Sequence, residues 1–521
     1  MLSGNKDCYQ FSKQKYRVTR INPQQGLIEL RYFYCNTTFM EQQLKELREL
    51  FKSFTDAAIT DIDKLPQAGS ERQYYRIQTA SKSYIATIGN NLKENETFIY
   101  FSEQFHKKNL ATPQLLCVSD NKKIYIQEDA GTNSLLDKLE LIGCNDYIYS
   151  LYKNSLTQLA KLQVQGHEGL DYTKCLTNTS FGKQAIMADL LYFKYYFLDA
   201  LRRPYDKQKL IDDFEALSNY LSHSEYHFFM FRDFQSRNIM ISDLDEICFI
   251  DFQGGMKGAP QYDVASLLWQ AKANLSDDWK QRLLDDYIEA FEKNIDQPLN
   301  KEIFKSQYNG YVLIRLLQVL GAYGFRGLFE RKAHFLTSIP LALQNLKWFV
   351  NNQNIGIALP TFKKIMDLCT SDEVIEEFTP LQATDETPLQ ISINSFSFIK
   401  NGYPIDTSSN GGGFVFDMRG ILNPGRFDPY KTLSGLDKPV KDFLEQQTKM
   451  PDFLNSVYSL VDISVTDYIK RDFENLCINF GCTGGQHRSV YAAEALARHL
   501  RNKFKVKINI THINKDNWKK I

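Results

Sequence analysis

The pattern that most constrains this chain lies at residues 231–252, where polar and apolar stretches alternate in a fixed order. The segment FRDFQSRN places Asp233 five positions before Asn238. An apolar run at 247–250 follows and ends at Asp251. Phosphoryl transfer needs a carboxylate that accepts the proton of the attacking hydroxyl, and oxygen ligands for Mg²⁺. Taken singly, Asp233 and Asn238 could form a capped turn, and Asp251 could simply end a strand. The order and spacing of the three residues together favour a phosphotransferase centre.

We assign Asp233 as the base that orients the hydroxyl, and Asn238 and Asp251 as ligands of Mg²⁺. ATP is the expected phosphoryl donor. The sequence therefore predicts an ATP- and Mg²⁺-dependent kinase that acts on a small hydroxyl compound.

Several segments resemble the aminoglycoside phosphotransferase and choline kinase superfamily, and within it the N-acetylmuramate and N-acetylglucosamine anomeric kinases. The resemblance rests on GSERQYYRI (69–77), ENETFIYFSEQFHKKNLATPQLL (94–116), YIQEDAG (125–131), FRDFQSRNIM (231–240) and FIDFQGGMKGAPQYDVASLLW (249–269). It implies an α+β, two-lobed, protein-kinase-like fold with an N-lobe at 40–130 and a C-lobe at 131–370.

The resemblance also implies a nucleotide site and a brace for the catalytic loop. The residues assigned to the nucleotide are Gly69, Ser70, Arg72, Glu96 and Glu128. The first three would form the turn over the phosphates, and the backbone around Glu128 would receive adenine. Protein kinases carry a Lys on the strand that corresponds to residues 84–88, and this strand has none. Glu96 is the expected partner of that Lys; without the Lys, Glu96 would contact Mg²⁺ or cap its helix. Asp263 would hold the catalytic loop by bonding to the backbone of that loop.

The acceptor implied by the resemblance is the anomeric hydroxyl of N-acetylmuramate or N-acetylglucosamine, in cell-wall amino-sugar metabolism. Choline, a homoserine-like metabolite and an aminoglycoside remain alternative acceptors. A vestigial kinase within an RNA adapter is a further alternative, although Asp233, Asn238 and Asp251 are all present.

A second constellation follows a short apolar strand at 477–480 and precedes an amphipathic helix at 489–501. A glycine-rich loop between a strand and a helix lets backbone N–H groups converge on an anion at the helix N-terminus. The residues assigned to this anion site are Cys482, Thr483, Gly484, Gly485, Gln486, His487, Arg488 and Ser489. A sugar phosphate or inorganic phosphate is the expected ligand.

Two chemistries fit this loop. Cys482 and Arg488 form a Cys-x5-Arg pattern, as in phosphatases in which a thiolate attacks phosphorus. However, Gly481 stands where those enzymes usually have His, and no general acid is evident. We therefore keep a phosphatase-like domain only as an alternative.

Residues 389–521 resemble the C-terminal domain of the RNase adapter RapZ. The segments are INSFSFIKNGYP (393–404), FVFDMRGILNP (414–424), LSGLDKPVKDFL (433–444) and GCTGGQHRSVYAAEALARHL (481–500). We expect an α/β domain here, and the resemblance implies that it binds an amino-sugar phosphate and, in some members, RNA. The fusion to a kinase suggests the hypothesis that this domain regulates the kinase or a partner. From residue 488 onward the sequence has nine basic and two acidic residues, which makes RNA an alternative partner. We favour the interpretation that these basic residues lie on the solvated face of a helix and on an edge strand.

Composition limits the remaining choices. Lys+Arg and Asp+Glu both number 62, which excludes a chain that is polybasic throughout. The nine cysteines are scattered without a CxxC pair, as expected in a reducing cytoplasm. No secretory or membrane segment is evident. We expect an N-terminal extension of uncertain status at 1–39, an acidic linker at 371–388 and a cytoplasmic protein without membrane partners.

Overall fold

A computed structural model describes residues 42–65, 72–330, 332–406, 408 and 412–518, without the side chains of 333 and 334. The described residues form two compact units. The larger unit holds the described residues up to 325 together with 338–375, and the smaller unit holds 326–337 with 376–518. The predicted extension at 1–39, and the nucleotide residues Gly69 and Ser70, lie outside the described residues.

The strands are as follows. They are β1 Ile59–Lys64, β2 Gln73–Thr79, β3 Ser83–Ile88, β4 Leu115–Val118, β5 Ile124–Glu128, β6 Asn133–Ser134, β7 Phe228–Met230, β8 Ile239–Ile241, β9 Ile247–Phe249, β10 Met256–Gly258, β11 Gln390–Ser397, β12 Gly413–Asp417, β13 Asn475–Cys482 and β14 Lys507–His512.

The α-helices begin with α1, which covers residues 42–54. The others are α2 Leu92–His106, α3 Leu135–Ile142, α4 Asp146–His167, α5 Lys183–Phe193, α6 Lys207–Ser222, α7 Gln261–Leu268, α8 Asp277–Glu292, α9 Lys301–Tyr323, α10 Ala333–Leu336, α11 Ile339–Asn352, α12 Pro360–Cys369, α13 Asp372–Phe378, α14 Lys438–Gln447, α15 Met450–Lys470 and α16 Arg488–Phe504.

The larger unit begins with a five-stranded antiparallel sheet in the order β1-β2-β3-β5-β4. Alternate residues of a strand face opposite sides. Tyr75 and Ile77 of β2 therefore pack with Leu47 and Phe51 of α1 in a buried cluster. The strand expected at 84–88 is confirmed as β3.

The rest of the larger unit is mostly helical and carries two small sheets. One has the order β6-β8-β9 and the other pairs β7 with β10. These short strands supply the loops around Asp233 and Asp251. The sheet followed by a helical lobe confirms the predicted two-lobed, protein-kinase-like fold.

One segment among the described residues, Lys301–Phe329, has the length and composition of a membrane span, with a mean hydropathy of 1.4 over its best window. However, 56% of that window is buried inside the protein, and the core helix of a soluble protein passes the same test. Such a segment is weak support for a membrane span.

The smaller unit contains a four-stranded, all-parallel sheet in the order β12-β13-β11-β14. Of its two central strands, β13 is buried from Leu476 to Cys482, whereas β11 alternates the buried Ile391 and Ile393 with half-buried polar residues. The predicted α/β class of this part is confirmed. In the segment predicted as an acidic linker, residues 372–378 form α13, and its Val374 is buried.

Candidate active site and anion-binding loop

The loop that carries Asp233 is held in place by Asp263 of α7. The Asp263 carboxylate accepts hydrogen bonds from the backbone N–H of Phe231 at 2.8 Å and of Arg232 at 2.9 Å. Gln163 donates to it at 2.9 Å. Burial raises the pKa of the Asp263 carboxyl to about 7, whereas these donors favour its charged form. Arg232 has a φ of +79°, so the residue before the base adopts a left-handed conformation that Asp263 stabilises. The bracing role expected of Asp263 is confirmed.

Asp233 itself has one carboxylate oxygen held by neighbours. Its Oδ1 accepts a hydrogen bond from Arg315 Nη2 at 3.1 Å and is in contact with Gln235 Nε2. Its Oδ2 lies 3.5 Å from Arg237 Nη2, and 38% of the side chain is exposed. The carboxylate is thus fixed on one side and accessible on the other, as a base that meets a diffusing acceptor requires.

The two predicted metal ligands are adjacent. The backbone N–H of Ile250 donates to the Asn238 carbonyl at 3.0 Å, which joins the turn after Asp233 to the strand end before Asp251. The side-chain amide nitrogen of Asn238 donates to the backbone carbonyl of Asp233 at 3.0 Å. Asp251 has a left-handed backbone, with φ +70°, and 39% of its side chain is exposed. A carboxylate beside an amide oxygen is a donor set that suits Mg²⁺.

No group of three or more His, Cys, Asp or Glu side chains that could hold a metal ion occurs in the described ranges. If Asn238 and Asp251 bind Mg²⁺, nucleotide phosphates and water would therefore have to complete its coordination. Mg²⁺ in kinase sites is commonly held this way.

Arg72 joins the nucleotide side of the site to Asp251. Its side chain is 5% exposed; Nη2 donates to Asp251 Oδ1 at 2.8 Å, and Nε lies 3.1 Å from Glu94 Oε1. Gln253 Nε2 also donates to Asp251 Oδ1 at 2.8 Å. In a chain without a Lys at 84–88, Arg72 is the cation that bridges the glutamate of α2 and the candidate metal ligand.

Glu94, rather than the predicted Glu96, is the acidic partner on α2. Glu96 is 53% exposed and pairs with Lys122 at 2.8 Å. Two residues along a helix lie about 200° apart, so the two glutamates face opposite sides. The sequence carries this signal: Glu94 precedes Phe98, Phe101 and the rest of the buried stripe at spacings of four and three.

The segment between the lobes contains Glu128 at the end of β5. Its backbone N–H already donates to the Gln114 carbonyl at 3.0 Å, so this particular donor is occupied. Arg76 Nε lies 2.6 Å from Asp129 Oδ2, and its Nη2 donates to the Gly131 carbonyl at 3.0 Å. A cavity of about 820 Å³ lies against this segment and is lined in part by these residues.

The glycine-rich loop of the smaller unit lies at the carboxyl end of the central strand β13, where parallel sheets commonly bind ligands. Cys482 is 2% exposed, and its Sγ is 3.1 Å from the backbone N–H of Gly485 and 3.1 Å from Ser489 Oγ. Gly485 has a φ of +67°, and a Cβ there would approach Asn514 Oδ1 to 2.5 Å. Only glycine therefore fits this turn without strain.

Gln486 and His487 fix a neighbouring segment rather than pointing freely outward. Gln486 Nε2 donates to the Leu433 carbonyl at 2.8 Å, and His487 Nε2 lies 2.8 Å from the Tyr430 carbonyl. Burial lowers the pKa of His487, which favours its neutral form. These contacts place residues 430–433 beside the glycine-rich loop at 482–489, which we call the anion loop.

A cavity of about 180 Å³ results at this place. It is lined by Asn423, Gly425, Lys431, Cys482, Thr483, Gly484, Gln486 and His487. The last five were predicted from the sequence as anion-binding residues, and the first three were not. Lys431, which also pairs with Asp428 at 2.5 Å, gives this cavity a positive charge next to the glycine-rich loop.

The Arg488 guanidinium is bonded to groups of the protein. Its Nη1 donates to the carbonyls of Ile421 at 2.6 Å and Arg419 at 3.2 Å, and its Nη2 to Thr483 Oγ1 at 3.3 Å. The guanidinium thus supports the loop after β12. These bonds to protein oxygens do not favour the phosphatase alternative, in which the arginine must bind the phosphoryl oxygens.

Two family models match the chain. Residues 64–298 match the phosphotransferase enzyme family, and residues 389–516 match the RapZ C-terminal domain. The chain therefore joins a domain of the phosphotransferase enzyme family to a RapZ C-terminal domain.

Curated relatives carry the name nucleotide-binding protein. One from Glaesserella parasuis serovar 5 is 33% identical over 189 residues, which are 35% of this chain and 62% of that protein. One from Fervidobacterium nodosum is 32% identical over 197 residues, or 36% and 66% of the two chains. The chain thus spans less than two thirds of the length of these relatives.

Solved structures similar to this chain include two choline kinases. The enzyme from Streptococcus pneumoniae has a TM-score of 0.38 and 13% identity, covering 60% of this chain and 99% of its own. The enzyme from Cryptosporidium parvum has a TM-score of 0.42 and 11% identity, covering 62% and 99%.

Proposed function

We propose that the larger unit is an ATP-dependent kinase that phosphorylates the anomeric hydroxyl of N-acetylmuramate or N-acetylglucosamine. The observation that carries this proposal is the arrangement of Asp233, whose Oδ1 is held while the carboxylate remains accessible beside Asn238 and Asp251. The proposed limits of the kinase lobes are 40–130 and 131–370, a range in which 326–337 belong to the smaller compact unit, and the proposed location is the cytoplasm.

In the proposed reaction, Asp233 Oδ2 accepts the proton of the sugar hydroxyl. The sugar oxygen then bonds to the γ-phosphorus of ATP while the bond from that phosphorus to the bridging oxygen breaks, giving ADP and the sugar 1-phosphate. Asn238 and Asp251 would hold Mg²⁺, which when bound neutralises charge on the nucleotide phosphates. Arg72 supplies a further fixed positive charge next to Asp251.

The charge around Asp233 supports a sugar rather than a cationic acceptor. Arg315 and Arg237 lie 3.1 Å and 3.5 Å from its carboxylate, so two guanidinium groups face one base. The neighbouring Arg232 is neutralised by Asp189 at 2.8 Å. Choline or an aminoglycoside would bring positive charge toward these arginines at a Coulombic cost. A neutral amino sugar, or one bearing a carboxylate, has no such cost.

A coupled ADP-release assay over a panel of amino sugars, sugar acids, choline and aminoglycosides tests this proposal. We expect turnover with N-acetylmuramate or N-acetylglucosamine and a sugar 1-phosphate product by phosphorus NMR. Asp233→Asn should lower kcat by about 10²–10⁴-fold, the range of a lost general base. Asp278→Asn, at an exposed pair with Arg282, is the matched control. Turnover confined to choline or aminoglycosides would refute the proposed acceptor.

For the domain proposed at 389–521, we propose that the loop from Cys482 to Ser489 binds an amino-sugar phosphate and regulates the kinase. The 180 Å³ cavity bordered by Lys431 and the glycine-rich loop supports this. Calorimetry of the full chain with glucosamine 6-phosphate, followed by kinase assays with and without it, tests both parts. Regulation requires that this ligand bind two kinase states with different affinity. If it neither binds nor changes the kinetics, this part of the proposal fails.

A further inference from the structure

Arg315 of α9 is a buried arginine next to the candidate base. Its side chain is 7% exposed, and its Nε has no hydrogen-bond partner among the described residues. Its one ion pair in the described ranges is with Asp233, at 3.1 Å. Burying a guanidinium with an unsatisfied donor is costly. The ion pair with Asp233 offsets part of this cost.

The guanidinium of Arg315 is held rigidly. Its Nη1 donates to Gln318 Oε1 at 2.6 Å, three residues along the same helix. Its centre lies 6.0 Å from the ring of Tyr262, which is fully buried. The donor that faces Asp233 therefore has a fixed position before any acceptor arrives.

The two oxygens of Asp233 have different surroundings. Oδ1 is occupied by Arg315 and Gln235, whereas Oδ2 lies 3.5 Å from Arg237, whose side chain is 58% exposed. Arg315 approaches from the interior, and Arg237 from the side that solvent reaches. A hydroxyl that diffuses into the site can reach Oδ2, while Oδ1 is already bonded.

We propose that Arg315 is a positioning residue that fixes the plane of the Asp233 carboxylate, so that Oδ2 faces the acceptor hydroxyl. This inference rests on the proposed kinase function. Arg315 acts through Asp233 and does not contact the acceptor. A displacement of about 1 Å of a catalytic group can cost about 10²-fold in rate.

The test compares Arg315→Met and Arg315→Lys in the full chain. We expect Arg315→Met to lower kcat by about 10²-fold, while KM for ATP and for the sugar changes less than about threefold. Its unfolding midpoint is measured alongside to show that the variant is folded at the assay temperature, because removing one partner of an ion pair can lower stability. Arg315→Lys should restore part of kcat. Arg282→Met, which removes an exposed arginine of α8, is the control for the loss of an arginine.

A double-mutant cycle then separates positioning from simple stabilisation. In the Asp233→Asn background, Arg315→Met should lower kcat by less than about threefold, because residues that act as a unit are non-additive. Should Arg315→Met not fold, Gln318→Leu removes the Nη1 partner and should lower kcat with KM unchanged.

The outcomes are distinct. If the wild-type chain is active and Arg315→Met keeps full activity, the inference about Arg315 fails while the proposed kinase function stands. An additive double-mutant cycle, or a change confined to KM, would have the same consequence. A wild-type chain inactive on every acceptor of the panel would refute the proposed function, and this inference with it.

Discussion

Arg72 Nη2 donates to Asp251 Oδ1 at 2.8 Å, a contact between residues 179 positions apart in the sequence. The same guanidinium lies 3.1 Å from Glu94 of α2. No Lys stands on β3, and Arg72, the residue that precedes β2, places a positive charge beside Glu94 and Asp251. The arrangement ties the first strands, α2 and the loop after β9 to one point.

We therefore expect the kinase to need Arg72 to bind and use ATP. We expect Arg72→Met to raise KM for ATP at least about tenfold and to lower kcat, since a buried, hydrogen-bonded charge would be lost from beside Asp251. Steady-state kinetics with varied ATP measure this. Lys82→Met, in the exposed turn between β2 and β3, should behave as the wild type. If Lys82 instead supplied the phosphate contact, the two variants would exchange phenotypes.

The two glutamates of α2 provide a matched pair. Glu94→Gln removes the charge that faces Arg72 and should lower kcat/KM for ATP by about tenfold or more. Glu96→Gln breaks only an exposed pair with Lys122 and should change kcat/KM less than about twofold. Kinetics of both variants under one set of conditions decide the assignment. Equal losses would contradict the structural difference between them.

Asp263 should be required for both the fold and the activity of the larger unit. Asp263→Ala leaves the backbone N–H groups of Phe231 and Arg232 buried without their acceptor, at about 1–3 kcal/mol for each group. We expect a lower unfolding midpoint by calorimetry and a loss of kcat. Glu289→Ala, at an exposed pair with Lys293, should change stability by less than about 1 kcal/mol. An unchanged midpoint for Asp263→Ala would argue against the bracing role.

The anion loop can be tested with adjacent glycines. Gly485→Ala places a Cβ 2.5 Å from Asn514 Oδ1 at a φ of +67°, and the backbone strain alone is about 1–2 kcal/mol. Gly484→Ala meets no atom within 4 Å. Calorimetry with inorganic phosphate should show affinity lowered at least about tenfold for Gly485→Ala, with a smaller change for Gly484→Ala. Wild-type affinity in Gly485→Ala would place the anion elsewhere.

Much of the site was predictable because its residues are close together in the sequence. The spacing of Asp233 and Asn238, and the strand before Asp251, follow from local backbone geometry, and the structure brings these residues together as expected. The strand, glycine-rich loop and helix around Cys482 are likewise one contiguous segment. Local patterns also carried the information on Glu94, whose spacing to Phe98 marks the buried face of α2.

The sequence by itself determined the two domains, their classes and the loops that carry the candidate residues, since periodicity and short spacings act within a few turns of chain. Tertiary structure alone decided the partners of those residues. Arg315 reaches Asp233 across 82 positions and Arg72 reaches Asp251 across 179, and no local pattern encodes either contact. Such pairs form only when packing of apolar faces brings distant elements together, and the low dielectric of the interior then makes each buried charge depend on the partner it meets there.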